Sequence, residues 1–126
     1  MGLLIGLGAG ILLRPDPDPV AAVRDLSADL DGAAGLLEVA QVEYEESVLG
    51  SRVTSPREYR GALAALSRSR NRFGDARPAL EALSDPAAEA IDAGYDRTQA
   101  LMEEPAPPAR VAAALRRLAR LLALTP

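Results

Sequence analysis

The chain has 126 residues and a formal net charge of −4, a length that fits one domain. Hydrophobic residues make up 48% of the sequence and aromatic residues only 3%, so we expect a core of leucine, alanine and valine at helical spacing, not an all-β sandwich. The sequence contains no cysteine and no histidine. Disulfides, thiolate nucleophiles, imidazole bases, haem attachment and ordinary zinc or copper sites are therefore excluded.

The charges are distributed unevenly along the chain. Residues 16–49 carry nine acidic side chains and one arginine, whereas residues 50–126 carry nine acidic side chains and twelve arginines. We interpret the two parts as complementary faces of one bundle. The densest basic region, Arg68, Arg70 and Arg72, advances by two residues at a time and so spreads around a helix. A nucleic-acid partner is therefore not expected.

The N-terminal segment differs in composition from the rest of the chain. Residues 1–13 (MGLLIGLGAGILL) are uncharged, too short to span a bilayer alone, and typical of a signal sequence or membrane anchor. The alternative is a buried N-terminal helix. Residues 14–19 (RPDPDP) predict an extended spacer, because each proline disfavours helical geometry in the residue before it. We therefore expect an exported or anchored periplasmic or other extracytoplasmic domain over residues 20–126.

Apolar residues at steps of three and four predict a first helix from about residue 19 to residue 49. Gly32 and Gly35 predict a bend or break near Asp31. The connection at residues 50–55 follows this helix. The predicted inward stripe consists of Val23, Leu26, Leu30, Ala33, Leu37, Ala40, Tyr44 and Val48.

Ser55-Pro56-Arg57-Glu58 predicts the start of a second helix, with a capping box and proline at the first helical position. Gly74 and Pro78 are expected to kink or interrupt this helix. Its predicted inward residues are Tyr59, Leu63, Leu66 and Phe73, followed by Leu80 and Leu83.

Two shorter helices complete the pattern. Ser84-Asp85-Pro86 predicts the start of the third, and the proline-rich residues 103–108 separate it from the fourth. The inward residues of the two are Ile91, Tyr95, Thr98 and Met102, and Val111, Leu115, Leu118 and Leu122. Short connections imply antiparallel neighbours, so we predict an all-α, up-and-down four-helix bundle. Because an alanine-rich core buries little apolar area, homo-oligomerisation is left open.

Residues 36–59 carry a family resemblance. The family pattern Leu-Leu-Asp-Tyr-x-x-x-Asp-Tyr-x-x-Ala-Val-x-x-Gly-x-Val, followed by Glu-Tyr, belongs to an extracytoplasmic helical domain that accompanies bacterial high-affinity iron permeases and some c-type cytochromes. Val39 replaces a usual tyrosine, and Ser51 stands where the family has its loop glycine. The chain resembles this pattern at Leu36, Leu37, Glu38, Glu43, Tyr44, Val48, Val53, Glu58 and Tyr59.

The resemblance implies a non-catalytic accessory or binding domain linked to iron uptake, with a membrane permease or a cytochrome as partner. The permeases of this family carry Arg-Glu-x-x-Glu signatures in membrane helices, and the cytochromes carry Cys-x-x-Cys-His. This chain has neither motif, so it is expected to act beside such a partner. The alternative is a membrane-tethered helical scaffold that recruits a protein without binding metal. A soluble cytoplasmic bundle is the third interpretation.

A metal site near the first turn is the sharpest chemical hypothesis. Glu38, Glu43, Tyr44, Glu58 and Tyr59 supply carboxylate and phenol oxygens, which suit iron or another oxygen-preferring cation. The structural alternative is that the glutamates form a solvated face and that the tyrosines fill the core and bond a neighbour through their hydroxyl groups. Enzymatic function is not expected, because serine and threonine occur here without histidine or lysine to act as a base.

Overall fold

The computed structural model describes residues 19–124. Residues 1–13, where we predict the signal or anchor, and the spacer as far as residue 18 lie outside this range. The described chain forms four helices, α1 Pro19–Ser47, α2 Pro56–Leu83, α3 Asp85–Glu103 and α4 Pro108–Leu124, and two short strands, β1 Val48–Leu49 and β2 Arg52–Val53. The predicted all-α four-helix bundle is confirmed.

Helix α1 runs without interruption through Gly32 and Gly35, so the predicted break is wrong. A helical glycine costs about 1 kcal/mol relative to alanine, and burial of the apolar stripe on both sides outweighs that cost. The stripe is buried as predicted, except that Val23 is 43% exposed. Its buried members are Leu26, Leu30, Ala33, Leu37, Ala40, Tyr44 and Val48.

A minimal hairpin joins α1 to α2, whereas the sequence predicted that the first helix continues to about Leu49 and that residues 50–55 form only a connection. Val48 pairs with Val53 and Leu49 with Arg52 in antiparallel register. Gly50 has φ +64°, a left-handed conformation that glycine adopts at little cost at the start of a two-residue turn. The Thr54 amide donates to the Ser47 carbonyl at 2.7 Å, which closes the chain reversal.

Helix α2 begins at Pro56 as predicted, but the Ser55 side chain makes no capping hydrogen bond, so the capping box is wrong. The helix also continues through Gly74 and Pro78 to Leu83, against the expected interruption. Pro78 removes one backbone donor. The burial of Phe73, Ala76 and Leu80 on either side of it holds the helix to the bundle, whereas Leu83 is 56% exposed.

Helix α3 begins where the sequence predicts, and the inward faces of α3 and α4 are those predicted. The Ser84 hydroxyl accepts a hydrogen bond from the Ala87 amide at 3.3 Å, an N-terminal cap. Gly94 permits close packing of the two helices, since a Cβ atom there would lie 2.9 Å from Cδ1 of Leu118. All the predicted inward residues are buried: Ile91, Tyr95, Thr98, Met102, Val111, Leu115, Leu118 and Leu122.

The four helices pack in the cyclic order α1, α2, α3, α4. Arg70 of α2 forms ion pairs with Asp92 and Asp96 of α3, and Arg77 also pairs with Asp92. In this up-and-down arrangement the corner between α1 and α2 and the loop between α3 and α4 share one end of the bundle. This end contains most of the residues in the predicted metal set.

Candidate functional site

Two tyrosines tie the α1–α2 corner to the end of α3 and to the loop that follows it. Tyr44 is fully buried, and its hydroxyl donates to the Ala106 carbonyl oxygen at 2.6 Å. The half-buried Tyr59 donates to the Met102 carbonyl oxygen, also at 2.6 Å. The two rings lie 6.2 Å apart between centroids and are tilted by 50°. We call this pair the tyrosine clamp, because each phenol spans from one half of the chain to the other.

The clamp hydroxyls are protonated donors at neutral pH. Burial, and then the charge of Tyr59, raises the pKa of Tyr44 above its ordinary value of 10.0. Burial, and then the charge of Glu103, raises the pKa of Tyr59 in the same direction. A phenolate ligand for ferric iron would require loss of both the proton and the bond to a carbonyl oxygen. The geometry thus favours the core-filling alternative for these two side chains.

Two of the predicted carboxylates meet on the outside of the corner. Glu43 and Glu58 line one open concavity of about 540 Å³, together with Glu46, Ser55 and Arg57. A Cβ atom built on Gly61 would overlap Oε1 of Glu43. Because residue 61 is glycine, the carboxylate of Glu43 on α1 can lie directly against α2.

Glu38 lies on a different side of the bundle from these two carboxylates. It lines a groove between α1 and α4 with Gln41 and with Arg116 and Arg120. Within residues 19–124, no three acidic side chains stand close enough together to hold one metal ion. The five-residue metal set therefore stays a prediction, with its members divided among the corner concavity, the α1–α4 groove and the tyrosine clamp.

Comparison with protein families decides what kind of domain this is. Residues 20–123 match the family of the iron permease-associated 4-helix bundle domain. The chain belongs to this family. No curated protein and no solved structure is significantly similar to the chain.

The resemblance recognised in residues 36–59 thus extends over nearly the whole bundle. The iron permease-associated 4-helix bundle domain is a helical domain linked to iron uptake through a membrane permease, and it is not a known enzyme family. None of the helices between residues 19 and 124 has a stretch long and apolar enough to cross a bilayer.

A buried polar node in the middle of the iron permease-associated bundle was missed by sequence reasoning. The Ser69 hydroxyl of α2 donates to the Ala33 carbonyl oxygen of α1 at 2.7 Å and lies 2.8 Å from the Tyr95 hydroxyl of α3. Three helices are thereby joined at one serine. The only signal in the sequence is that Ser69 follows Leu66 by three residues on the inward face of α2.

Every buried side-chain nitrogen or oxygen in the described part of the chain has a hydrogen-bond partner. Arg70 adds to the node from outside, with its guanidinium carbon 5.8 Å from the centroid of the Tyr95 ring. Such a core is a stabilising element with its hydrogen-bonding capacity already used. Carboxylates and guanidinium groups are exposed on the surface of this iron permease-associated domain, together with apolar side chains such as Leu49.

Proposed function

We propose that this chain is an accessory domain of iron uptake that acts outside the cytoplasm, beside a membrane iron permease. The single observation that carries the proposal is the family match over residues 20–123. The bundle supports a role exerted through surface contacts, because its buried polar groups are bonded internally. Residues 1–13 act as the export signal or anchor, and residues 14–19 act as the spacer.

Co-purification from fractionated cells tests this proposal. The full chain with a C-terminal epitope is expected in the membrane or extracytoplasmic fraction, accessible to protease added to spheroplasts, and cross-linked to an iron permease of the same organism. The matched control lacks residues 1–13 and is expected to remain in the cytoplasm. Recovery of the full chain in the soluble cytoplasm, or a cross-linked product without a permease, contradicts the proposal. A cytochrome in that product identifies the other partner that the resemblance implied.

We further propose that the corner concavity binds a hard cation weakly, in support of the same function. Glu43 and Glu58 supply the charged oxygens there, and Glu46 lines the same concavity. Hard cations such as ferric iron, calcium and manganese accept shells made of oxygen atoms. In this proposal Tyr44 and Tyr59 fix the corner through their bonds to the carbonyl oxygens and do not ligate the ion.

Thermal unfolding of the full chain in the presence of metal ions tests whether the corner concavity binds a cation. A ligand at ten times its Kd stabilises the folded state by about 1.4 kcal/mol, since binding to the folded state alone contributes RT ln(1 + [L]/Kd). We expect a rise in the midpoint of thermal unfolding with ferric iron, ferrous iron, calcium or manganese. The double variant Glu43→Gln/Glu58→Gln is expected to lose that rise.

Glu38→Gln is the matched control, because it removes one carboxylate of the same helix from the α1–α4 groove. It is expected to keep the metal-dependent rise. No rise in the unmodified chain with any of these cations contradicts the metal proposal. An equal rise in the Glu43→Gln/Glu58→Gln variant contradicts the assignment to the corner.

A further inference from the structure

A basic groove runs between α3 and α4, on the opposite side of the bundle from the corner carboxylates. Arg97 of α3 and Arg110 and Arg117 of α4 line it, around a floor formed by Leu101, Ala113 and Ala114. Its volume is about 240 Å³. Arg110 and Arg117 are seven residues apart, so their Cα atoms lie on one face of α4, about 10 Å apart along the axis. We call this feature the arginine groove.

The three arginines of the groove differ from other arginines of the bundle in their ion pairing. Arg70, Arg72 and Arg77 each form an ion pair with a carboxylate of the bundle. None of the three arginines of the groove forms one within residues 19–124. Glu104 lines an adjoining concavity with Arg97 and Arg110, and it forms no ion pair with either.

The basic charge of α4 is divided between two grooves. Arg116 and Arg120 line the α1–α4 groove beside Glu38, whereas Arg110 and Arg117 line the arginine groove. A flat anionic bilayer favours a broad and even basic face. A narrow concavity with an apolar floor and arginines on both walls instead fits a chain that presents carboxylates around a small apolar side chain.

From this we propose that the arginine groove binds an acidic, amphipathic helical segment of a protein partner. Carboxylates one or two turns apart on that segment pair with Arg97, Arg110 and Arg117, and an apolar side chain between them covers Leu101 and Ala114. The inference rests on the proposed function, because it gives the chemistry of the contact through which the accessory domain recruits its permease.

Peptide binding to the full chain tests the groove directly. The probe is a fluorescent peptide of about 18 residues, about 27 Å long as a helix, with glutamate and leucine on one face and alanine elsewhere. A scrambled peptide of the same composition has no such face. We expect the patterned peptide to bind at an ionic strength of about 0.15 M, where distant charges are screened.

Two matched double variants on the same helix separate the groove from general charge. Arg110→Gln/Arg117→Gln is expected to weaken binding of the patterned peptide by about ten-fold or more, since each tenfold is 1.4 kcal/mol and bonds between charged groups are worth about that much. Arg116→Gln/Arg120→Gln removes the same charge and is expected to change the Kd by less than about two-fold. Circular dichroism and thermal unfolding of both variants verify that the fold is intact.

Each other outcome overturns the inference. Equal losses in both double variants indicate general electrostatic attraction, and equal binding of the scrambled peptide indicates the same. Absence of peptide binding, with binding to vesicles of phosphatidylglycerol and phosphatidylcholine, identifies a lipid surface as the occupant.

The permease cross-linking experiment tests the groove a second time. Loss of the cross-linked product only in Arg110→Gln/Arg117→Gln supports the groove. Retention in both variants overturns the groove alone, and absence from the unmodified chain overturns the proposed function.

Discussion

Replacement of Tyr44 by phenylalanine is expected to lower the free energy of unfolding by about 1–3 kcal/mol, the usual cost of a buried polar group left without its partner. The side chain is 0% exposed, and its hydroxyl reaches the Ala106 carbonyl oxygen across 62 residues of sequence. Phenylalanine keeps the packed ring and removes only this donor. The measurement is urea unfolding of the full chain followed by circular dichroism.

Tyr59→Phe provides the control for burial. Its hydrogen bond to the Met102 carbonyl oxygen has the same length, 2.6 Å, but the tyrosine is only half-buried. Water can replace the lost donor there, so we expect a cost of about 0.5 kcal/mol. Equal costs for the two variants would contradict the assignment of the larger effect to burial. An unchanged unfolding midpoint in Tyr44→Phe would show that the hydrogen bond from Tyr44 to Ala106 does not contribute to stability.

The clamp gives a structural reason for the two tyrosines that this chain shares with the family pattern, Tyr44 and Tyr59. Their phenols join the α1–α2 corner to Met102, in the last turn of α3, and to Ala106, in the following loop, which has three prolines between residues 105 and 108. The carboxylates of Glu43 and Glu58 stand on the outer side of the same corner. Fixing the corner therefore fixes the relative position of the two acidic side chains that we propose as cation ligands.

Most of the fold follows from the spacing of apolar residues. The stripes of α1, α3 and α4 were predicted nearly residue by residue, because each lies on a helix with one inward face. The errors at Gly35 and Pro78 share one cause: local propensity predicts interruptions, whereas burial on both sides carries each helix through them. Val23 and Leu83, at the ends of their helices, were predicted to face inward but are exposed. The prediction failed there because periodicity does not show where the core ends.

The candidate site was less predictable than the fold. The sequence places Glu43 and Glu58 near the same corner, but it does not show that Gly61 gives the Glu43 carboxylate room to lie on α2. Nor does it show that Glu38 faces the α1–α4 groove. Those positions depend on how α1 is rotated against its two neighbours, and that rotation is set by packing with residues far away in the sequence.

Alkaline pH is expected to destabilise the bundle through Tyr95. Burial raises the pKa of Tyr95 to about 12, although its bond with Ser69 and the charge of Arg70 act in the opposite direction. An unfolded tyrosine titrates at about pH 10. The stabilisation that comes from keeping this phenol neutral is therefore complete below about pH 10 and is lost as the pH rises through the folded pKa.

The composition allows the effect of tyrosine ionisation on stability to be measured without the titration of other side chains. The chain has no cysteine or lysine, and arginine stays charged to about pH 12 or above. Between about pH 9 and pH 12, the side chains that titrate are therefore the tyrosines, three in number. A difference of about two pKa units corresponds to roughly 2–3 kcal/mol once the pH exceeds the folded value.

Urea unfolding at several pH values up to about 11.5 measures this loss, and the ultraviolet absorbance of tyrosinate reports the titration itself. Tyr95→Phe is expected to be less stable at neutral pH, because Ser69 loses its neighbour at 2.8 Å, yet to lose less stability as the pH rises. Any pH dependence of the free energy of unfolding that remains in Tyr95→Phe is assigned to Tyr44 and Tyr59, whose pKa values are also raised by burial. If Tyr95→Phe has the same slope as the unmodified chain, the buried node is not what resists ionisation, and the clamp must account for the entire loss.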